Sequence, residues 1–286
     1  MQIALLRKPS LVLDYLKMVR GLNLFIVALT QYLTAIFLVG TRGNWLEIIT
    51  DKGFFLLVSS TVIITSAGYL INDYYDIKID YVNKPERVQV GRTLRRRWVI
   101  AGHTTLNFLG IAIGFYISPV IGIINFMAAF LLWLYSNQLK RLPFVGNLVV
   151  AMLTGTTLFL VGEYFEDREY LILTYAIFAG FITLIREIIK DMEDIKGDER
   201  FGCKTLPIIW GIANTKKFIY GLIILFTITV WLMIGSISTL LPIGLILTLI
   251  LLIFGLAKAD TVREYHRLSS FCKVIMLLGV ISMILI

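Results

Sequence analysis

Nine long apolar segments divide this chain and constrain its fold more than any other feature. Each is close to the ~20 residues that an α-helix needs to cross a bilayer. They lie at about 21–40, 54–71, 98–117, 119–135, 145–162, 170–185, 218–235, 239–257 and 269–286, with 119–135 and 170–185 expected to run slightly longer. Hydrophobic residues make up 58% of the 286 positions and charged residues only 16%, far from the balance of a soluble domain. The pattern predicts an all-α integral membrane protein with nine transmembrane helices.

The basic residues are distributed unequally between the two sides of the membrane. With nine spans, all but three of the 27 Lys and Arg residues fall on the side of the N-terminus, and the exceptions are Arg42, Lys52 and Arg168. The positive-inside rule therefore predicts a multi-pass protein of the cell membrane whose N-terminus is cytoplasmic and whose C-terminus is on the opposite side. The loops contact membrane lipid, and no continuous basic face is available for nucleic acid, which is excluded as a partner.

An acidic pattern, D-x-x-D-x-x-x-D, occurs twice, once as Asp73, Asp76 and Asp80 and again as Asp191, Asp194 and Asp198. Each copy follows the first apolar segment of a group of four, at about 54–162 and 170–286. These groups predict two parallel four-helix repeats within a single domain, 1–286, with the remaining helix packed beside them. The two acidic clusters would then face each other across a central cavity at the cytoplasmic side.

Side chains four apart share one face of a helix, so each motif forms a polar stripe. Carboxylate and amide oxygens in such stripes suit Mg²⁺, which binds through one or two carboxylates together with substrate phosphate oxygens. We predict two Mg²⁺ ions holding a diphosphate, with Asp76, Asp80, Asp194 and Asp198 as the catalytic carboxylates. The predicted metal-binding set adds Asn72, Asp73 and Asp191, of which the two aspartates lie off the main stripes. The predicted diphosphate-binding cations are Lys84, Arg87, Lys140, Arg186 and Lys190.

The run Asn72 to Asp80 resembles the N-D-x-x-D-x-x-x-D signature of the UbiA superfamily of intramembrane prenyltransferases, and the second cluster resembles that family's other aspartate motif. The resemblance covers essentially the whole chain. It implies nine helices, Mg²⁺ bridging a prenyl diphosphate between the two motifs, and a lipid-facing cavity for the isoprenoid tail. It also implies that Asn23, in an R-G-L-N run, faces the cavity near the acceptor. Tyr135, in a Y-S-x-x-L-K run similar to the family's, would face the cavity with an aromatic ring that can stabilise an allylic cation.

Within the superfamily, the runs Asn83 to Arg87 and Arg186 to Asp194 look most like the digeranylgeranylglyceryl phosphate synthases. That branch implies geranylgeranyl transfer to the hydroxyl of geranylgeranylglyceryl phosphate, a lipid acceptor, to form an ether lipid and release diphosphate. The E-R-T-x-x-R-P loop of the ubiquinone-type enzymes is absent after Asp80. Val88, however, stands where proline is usual, which leaves an aromatic quinone precursor or a chlorin open as the acceptor.

Two other classes of membrane protein are less consistent with this sequence. A secondary transporter would carry its acidic residues near the bilayer midplane, whereas these clusters lie at helix ends. A CDP-alcohol phosphotransferase would need a denser aspartate signature with an internal D-G step. His103 and His266 have no histidine or carboxylate at useful spacing, and Cys203 and Cys272 lack metal-ligand spacing, so none of these four is assigned a role.

Overall fold

A computed structural model describes residues 18–39, 45–166, 170–234 and 240–285, excluding the side chains of Arg87, Ile234 and Leu240. Nine helices within these ranges are long and apolar enough to cross a membrane, which confirms the predicted number and class. They are α1 (Gly21–Thr34), α2 (Lys52–Asn83), α3 (Arg96–Ile117), α4 (Pro119–Asn137), α5 (Val145–Tyr164), α6 (Tyr170–Arg200), α7 (Leu206–Ile234), α8 (Leu240–Lys258) and α9 (Val262–Ser282). A π-helical turn, Ala35–Val39, extends α1, and a short helix, Trp45–Thr50, precedes α2.

Several predicted helix boundaries are wrong in the same direction. The segments predicted at 54–71, 170–185, 218–235 and 269–286 belong to helices that extend well into the neighbouring polar sequence. Hydropathy detects only the part of a helix that is apolar, whereas the backbone hydrogen bonds continue wherever polar side chains can reach water. Residues 40, 235, 239 and 286 lie outside the described ranges, as do Arg7, Lys8, Lys17, Arg42 and Arg168 of the charge count.

The two longest helices carry the two aspartate motifs. At a rise of 1.5 Å per residue, the 32 residues of α2 and the 31 residues of α6 span roughly 45–48 Å each. The hydrocarbon core of a bilayer is only ~30 Å thick. At the other end of α2, Asp51 caps the helix by accepting hydrogen bonds from the backbone N–H groups of Gly53 and Phe54. The surplus length of both helices accommodates their polar ends, where the motifs lie.

The helices α2 and α6 contact each other directly and each anchors a group of neighbours. α2 packs against α3 and α4, and α6 packs against α5, α7 and α9. α1 lies against α2, α5 and α9 and so touches both groups. This grouping brings the two motif helices together at the centre, while the internal repeat of the chain stays a prediction.

The outer surface of the bundle is strongly apolar. Phe108, Leu232 and Phe254 are each more than half exposed and belong to three different helices. Such a surface would be unfavourable in water, but it matches the hydrocarbon interior of a bilayer. The membrane assignment therefore rests on the surface as well as on helix length.

Candidate active site

The ends of α2 and α6 enclose a cavity of about 610 Å³, which is called the polar cavity below. Every predicted site residue except Arg87 lines it: Asn23, Asn72, Asp73, Asp76, Asp80, Lys84, Tyr135, Lys140, Arg186, Lys190, Asp191, Asp194 and Asp198. Arg87 ends the 3-10 turn Pro85–Arg87 that follows α2, and its side chain is outside the described part. Residues that are more than a hundred positions apart in sequence thus share one compartment.

The first motif is held by cations from two other parts of the chain. The Lys140 ammonium lies 2.5 Å from Asp76 Oδ1 and 3.5 Å from Asn72 Oδ1, reaching them from the short turn between α4 and α5. Arg20, just before α1, donates to Asp73 Oδ1 at 3.0 Å and lies over the ring of Tyr69. Asp73 therefore fixes the start of α1 to α2.

The second motif is held partly by the helix that carries the first. Lys84, directly after α2, lies 2.8 Å from Asp194 Oδ1 and 3.0 Å from Glu193 Oε1. Asn147 of α5 donates to Asp191 Oδ2 at 2.9 Å. The two off-stripe aspartates, Asp73 and Asp191, thus join their helices to neighbours.

Asn83 forms a second connection between α2 and α6. Its side-chain amide donates to the Asp194 carbonyl oxygen at 3.0 Å and accepts from the Gly197 N–H at 2.9 Å. Gly197 has no side chain, and a Cβ there would come closer than 3.0 Å to Asn83. The position and spacing of the two motifs are therefore fixed by a side chain that belongs to neither.

The polar cavity also contains residues that the sequence did not assign to the site, among them Glu193 and Cys203. Glu187 of α6 does not line the cavity, but it is 6% exposed and pairs with two residues that do, Arg186 and, at 3.7 Å, Lys190. Glu193 binds Lys84 and also His266 Nδ1 at 3.0 Å, although no carboxylate stands at useful spacing from His266 along the chain. The partner comes from another helix, and spacing along the chain cannot reveal it.

Cys203, which also lines the polar cavity, lies on the loop between α6 and α7. Burial, together with the nearby Asp198 carboxylate, raises the pKa of this thiol to about 11. The group is therefore a neutral thiol at physiological pH, and a thiolate, the form that ligates metals and reacts as a nucleophile, is disfavoured.

The composition of the polar cavity fits Mg²⁺ bound together with a diphosphate. Its described lining contains eight carboxylates and six Lys or Arg side chains, which leaves a net negative charge. Within the described ranges, no three His, Cys, Asp or Glu side chains form a closed cage for a metal. Mg²⁺ does not need such a cage, because it keeps several waters and shares substrate phosphate oxygens. Carboxylates from two helices with adjacent lysines provide that kind of open site.

A second cavity of about 380 Å³ lies further along the same helices, and its lining is almost entirely apolar. Four helices that line the polar cavity, α1, α5, α6 and α9, also line this one. They contribute Ile26, Leu158, Ile182 and Met276. Apolar side chains of this kind can shield a hydrocarbon chain from water. Polar and apolar compartments are thus arranged along shared helices.

Long membrane helices with an acidic, lysine-bridged cavity next to an apolar one define an intramembrane transferase for amphiphilic phosphorylated substrates. The family is shown by sequence: the UbiA prenyltransferase family model matches residues 27–279, and the chain belongs to this family. It is therefore a prenyltransferase, as the resemblance implied. A digeranylgeranylglyceryl phosphate synthase from Methanosphaera stadtmanae is 33% identical over 276 residues, which cover 94% of this chain and 97% of that protein.

A further relative and two solved structures also resemble this chain. A digeranylgeranylglyceryl phosphate synthase from Thermococcus sibiricus is 36% identical over 203 residues, covering 71% of this chain and 70% of that protein. A structure from work on digeranylgeranylglyceryl phosphate synthase in membranes has a TM-score of 0.70 at 24% identity and covers 96% of this chain and 97% of its own. A UbiA homologue from Archaeoglobus fulgidus, bound to GPP and Mg²⁺, has a TM-score of 0.66 at 13% identity, with 96% of this chain and 100% of that chain covered. At these identities the two structures establish the fold.

Proposed function

We propose that this prenyltransferase transfers a geranylgeranyl group from its diphosphate to the free hydroxyl of geranylgeranylglyceryl phosphate, forming an ether lipid and releasing diphosphate. The observation that carries the proposal is the convergence of both aspartate motifs and their lysines on one cavity. The choice of acceptor rests on the relatives named digeranylgeranylglyceryl phosphate synthase, of which one matches this chain along nearly its full length.

We assign the metal-binding role to two Mg²⁺ sites, one at each motif. Asp76 and Asp80, with Asn72, would hold one ion, and Asp194 and Asp198 the other, while Asp73 and Asp191 orient the helices. Mg²⁺ supplies positive charge that makes the diphosphate a better leaving group. The solved homologue with GPP and Mg²⁺ supports a divalent ion in this fold.

The cations of the chain assist the departure of diphosphate. Lys84, Lys140 and Lys190 line the polar cavity and neutralise the charge that develops on the diphosphate oxygens. We assign the same role to Arg87 from its position in the sequence directly after α2. As the bond from the allylic C1 to oxygen breaks, the acceptor hydroxyl attacks C1 and the ether bond forms. The hydroxyl proton passes to Asp80, Asp198 or the departing diphosphate. Tyr135 presents an aromatic ring that stabilises positive charge on the allyl group.

The apolar surroundings protect this step. Water would capture the allylic cation as an alcohol, so the reaction needs a compartment from which water is excluded. The cavity lined by Ile26, Leu158 and Ile182 provides apolar walls for an isoprenoid chain next to the reacting groups. Asn23 donates a hydrogen bond to the Tyr69 hydroxyl at 3.3 Å and lines the polar cavity, and we assign it to the binding of the acceptor.

We also propose an orientation for the enzyme. The excess of basic residues on the side of the N-terminus favours a cytoplasmic N-terminus and a cytoplasmic polar cavity, with the C-terminus on the opposite side. The anionic diphosphate head of the prenyl donor would then reach the motifs from the cytoplasmic side. The lipid acceptor would enter from the bilayer.

The test is product formation by purified protein with Mg²⁺, geranylgeranyl diphosphate and a panel of acceptors. The panel contains geranylgeranylglyceryl phosphate, a hydroxybenzoate, a naphthoate and a chlorin. We expect a Mg²⁺-dependent ether product with the first acceptor alone. Transfer to an aromatic ring or a chlorin instead would overturn the acceptor assignment. It would also agree with Val88, which stands where proline is usual and leaves those acceptors open.

The two motifs are expected to act as one site. Asp76→Asn and Asp194→Asn each remove a carboxylate charge at nearly constant shape, and each should lower kcat by at least about a hundredfold, since charge stabilisation is lost from the leaving group. The assay pairs turnover with the melting temperature in detergent, which should stay near that of the wild type. Substantial turnover in either variant would contradict a joint site.

A further inference from the structure

One face of α9 carries a polar stripe that belongs to neither aspartate motif. His266, Ser269, Ser270 and Lys273 follow the spacing of a helical face, and all four line the polar cavity. Ser269 is buried, whereas His266, Ser270 and Lys273 are exposed and form a rim of the cavity. The motif chemistry leaves the serines and Lys273 without an assigned role.

The register between α6 and α9 shows which α6 residues this stripe faces. The helices are antiparallel: His266 Nδ1 contacts Glu193 Oε1 at 3.0 Å, and further along, the Tyr175 and Ser282 hydroxyls lie 2.9 Å apart. Seven residues beyond His266 is Lys273, and seven residues before Glu193 is Arg186. Because both helices rise 1.5 Å per residue, Lys273 and Arg186 lie at the same level.

Arg186 has unused hydrogen-bonding capacity at this level. Its Nη1 pairs with Glu187, but its Nε is buried and has no hydrogen-bond partner among the described atoms. A buried donor without a partner is costly, so an acceptor atom of a ligand at this position would be favoured. Arg186 also lies eight residues before Asp194, about 12 Å along α6. From the sequence, Arg186 was assigned to diphosphate binding. The structure places it away from the level at which Asp194 and Asp198 would hold diphosphate.

The same face of α9 becomes apolar beyond the stripe. Val274, Leu278 and Ile281 continue the row of Ser270 at helical spacing, and each is more than two-fifths exposed. A ligand lying along this face would meet hydroxyl and ammonium groups at one end and a hydrocarbon surface at the other. That pattern matches a lipid with a phosphorylated head.

We propose that Arg186, Ser270 and Lys273 form the binding subsite for the phosphate of the lipid acceptor. Guanidinium and ammonium groups are the usual partners of phosphate oxygens, and a serine hydroxyl can donate a further hydrogen bond. The inference rests on the proposed function, because it assumes an acceptor that bears a phosphate monoester. It separates the two anions of the reaction, with diphosphate at the motifs and acceptor phosphate at the α6–α9 wall.

The experiment compares two acceptors, geranylgeranylglyceryl phosphate and geranylgeranylglycerol without the phosphate, in non-ionic detergent free of phospholipid. The acceptor is then the only source of a phosphate monoester. Lys273→Met and Arg186→Lys are measured beside Lys217→Met, an exposed lysine on α7 that does not line the polar cavity. Both KM values, for acceptor and for geranylgeranyl diphosphate, are determined for each protein.

For the wild type and Lys217→Met we expect strong preference for the phosphorylated acceptor. In Lys273→Met and Arg186→Lys the KM for that acceptor should rise about ten- to hundredfold, as expected for loss of a charge-assisted hydrogen bond, while the KM for diphosphate donor changes less than about twofold. The preference between the two acceptors should shrink by the same factor. An increase confined to the donor KM, or an unchanged preference, would overturn the subsite. These outcomes differ from a failure of the proposed function, in which the wild type itself would not use the phosphorylated acceptor.

Discussion

Asn83 joins α2 to α6 with both ends of its amide, and Gly197 is the residue that makes the contact possible. The approach is so close that a Cβ at position 197 would come within 3.0 Å of three atoms of the Asn83 side chain. An added methyl group must therefore move Asn83, and with it the end of α2. The geometry between Asp80 and Asp194 depends on this contact.

Gly197→Ala is expected to destabilise the protein by about 1–3 kcal/mol and to weaken Mg²⁺-dependent turnover by more than the loss of folded protein explains. The control is Gly180→Ala on the same helix, where a Cβ would lie 3.5 Å from the Ala151 carbonyl oxygen, an ordinary contact. Melting temperature and the Mg²⁺ concentration for half-maximal activity are the two measurements. If both variants behave alike, the Asn83 contact does not set the motif geometry.

Among the helices, α7 shows most clearly what hydropathy can and cannot predict. The apolar pattern predicts a start at 218, but α7 begins at Leu206. Asn214, Lys216 and Lys217 lower the local hydropathy without preventing helix formation, because their side chains are at the polar end of the bundle. The helix contains one break, at Gly211, whose φ of 75° and ψ of 163° are nearly exclusive to glycine.

Gly211→Ala should therefore cost about 1–3 kcal/mol through backbone strain. Steric overlap adds nothing to this cost, because the space around the added methyl group is open. For a chain of this size, we expect a fall in Tm of several degrees and an unchanged KM for donor. Gly221→Ala, on the same helix with regular backbone and open space around it, serves as the control and should be neutral or slightly stabilising. Equal Tm values for the two variants would show that the break is not a local constraint.

For the site as a whole, the sequence predicts the two aspartate motifs and their cations, but it predicts neither the other lining residues nor the pairings between side chains. Periodicity places Asn72, Asp76 and Asp80 on one face, and the structure brings them into the polar cavity with the second motif. The pairing of Lys84 with Asp194, or of His266 with Glu193, joins helices that are distant in sequence. Such pairs depend on helix order and rotation, which hydropathy does not encode.

The proposed orientation of the molecule can be tested with single cysteines and a membrane-impermeant maleimide. Cys203 and Cys272 are both buried, so the background from native thiols should be low. Glu47 in the short helix before α2 and Arg92 in the loop after it are both exposed. We expect Glu47→Cys to label on intact cells and Arg92→Cys only on inverted vesicles. The reverse pattern would place the polar cavity outside.

The connection through Asn83 also has a consequence for biogenesis. It joins residues 111 and 114 positions apart, so it cannot form until α6 has been synthesised and inserted. A nascent chain that ends before α6 can place its first helices in the bilayer, yet the first motif then lacks its partner. Functional maturation is therefore a late event that follows membrane insertion, and a ribosome-bound chain that is arrested early would be integrated but inactive.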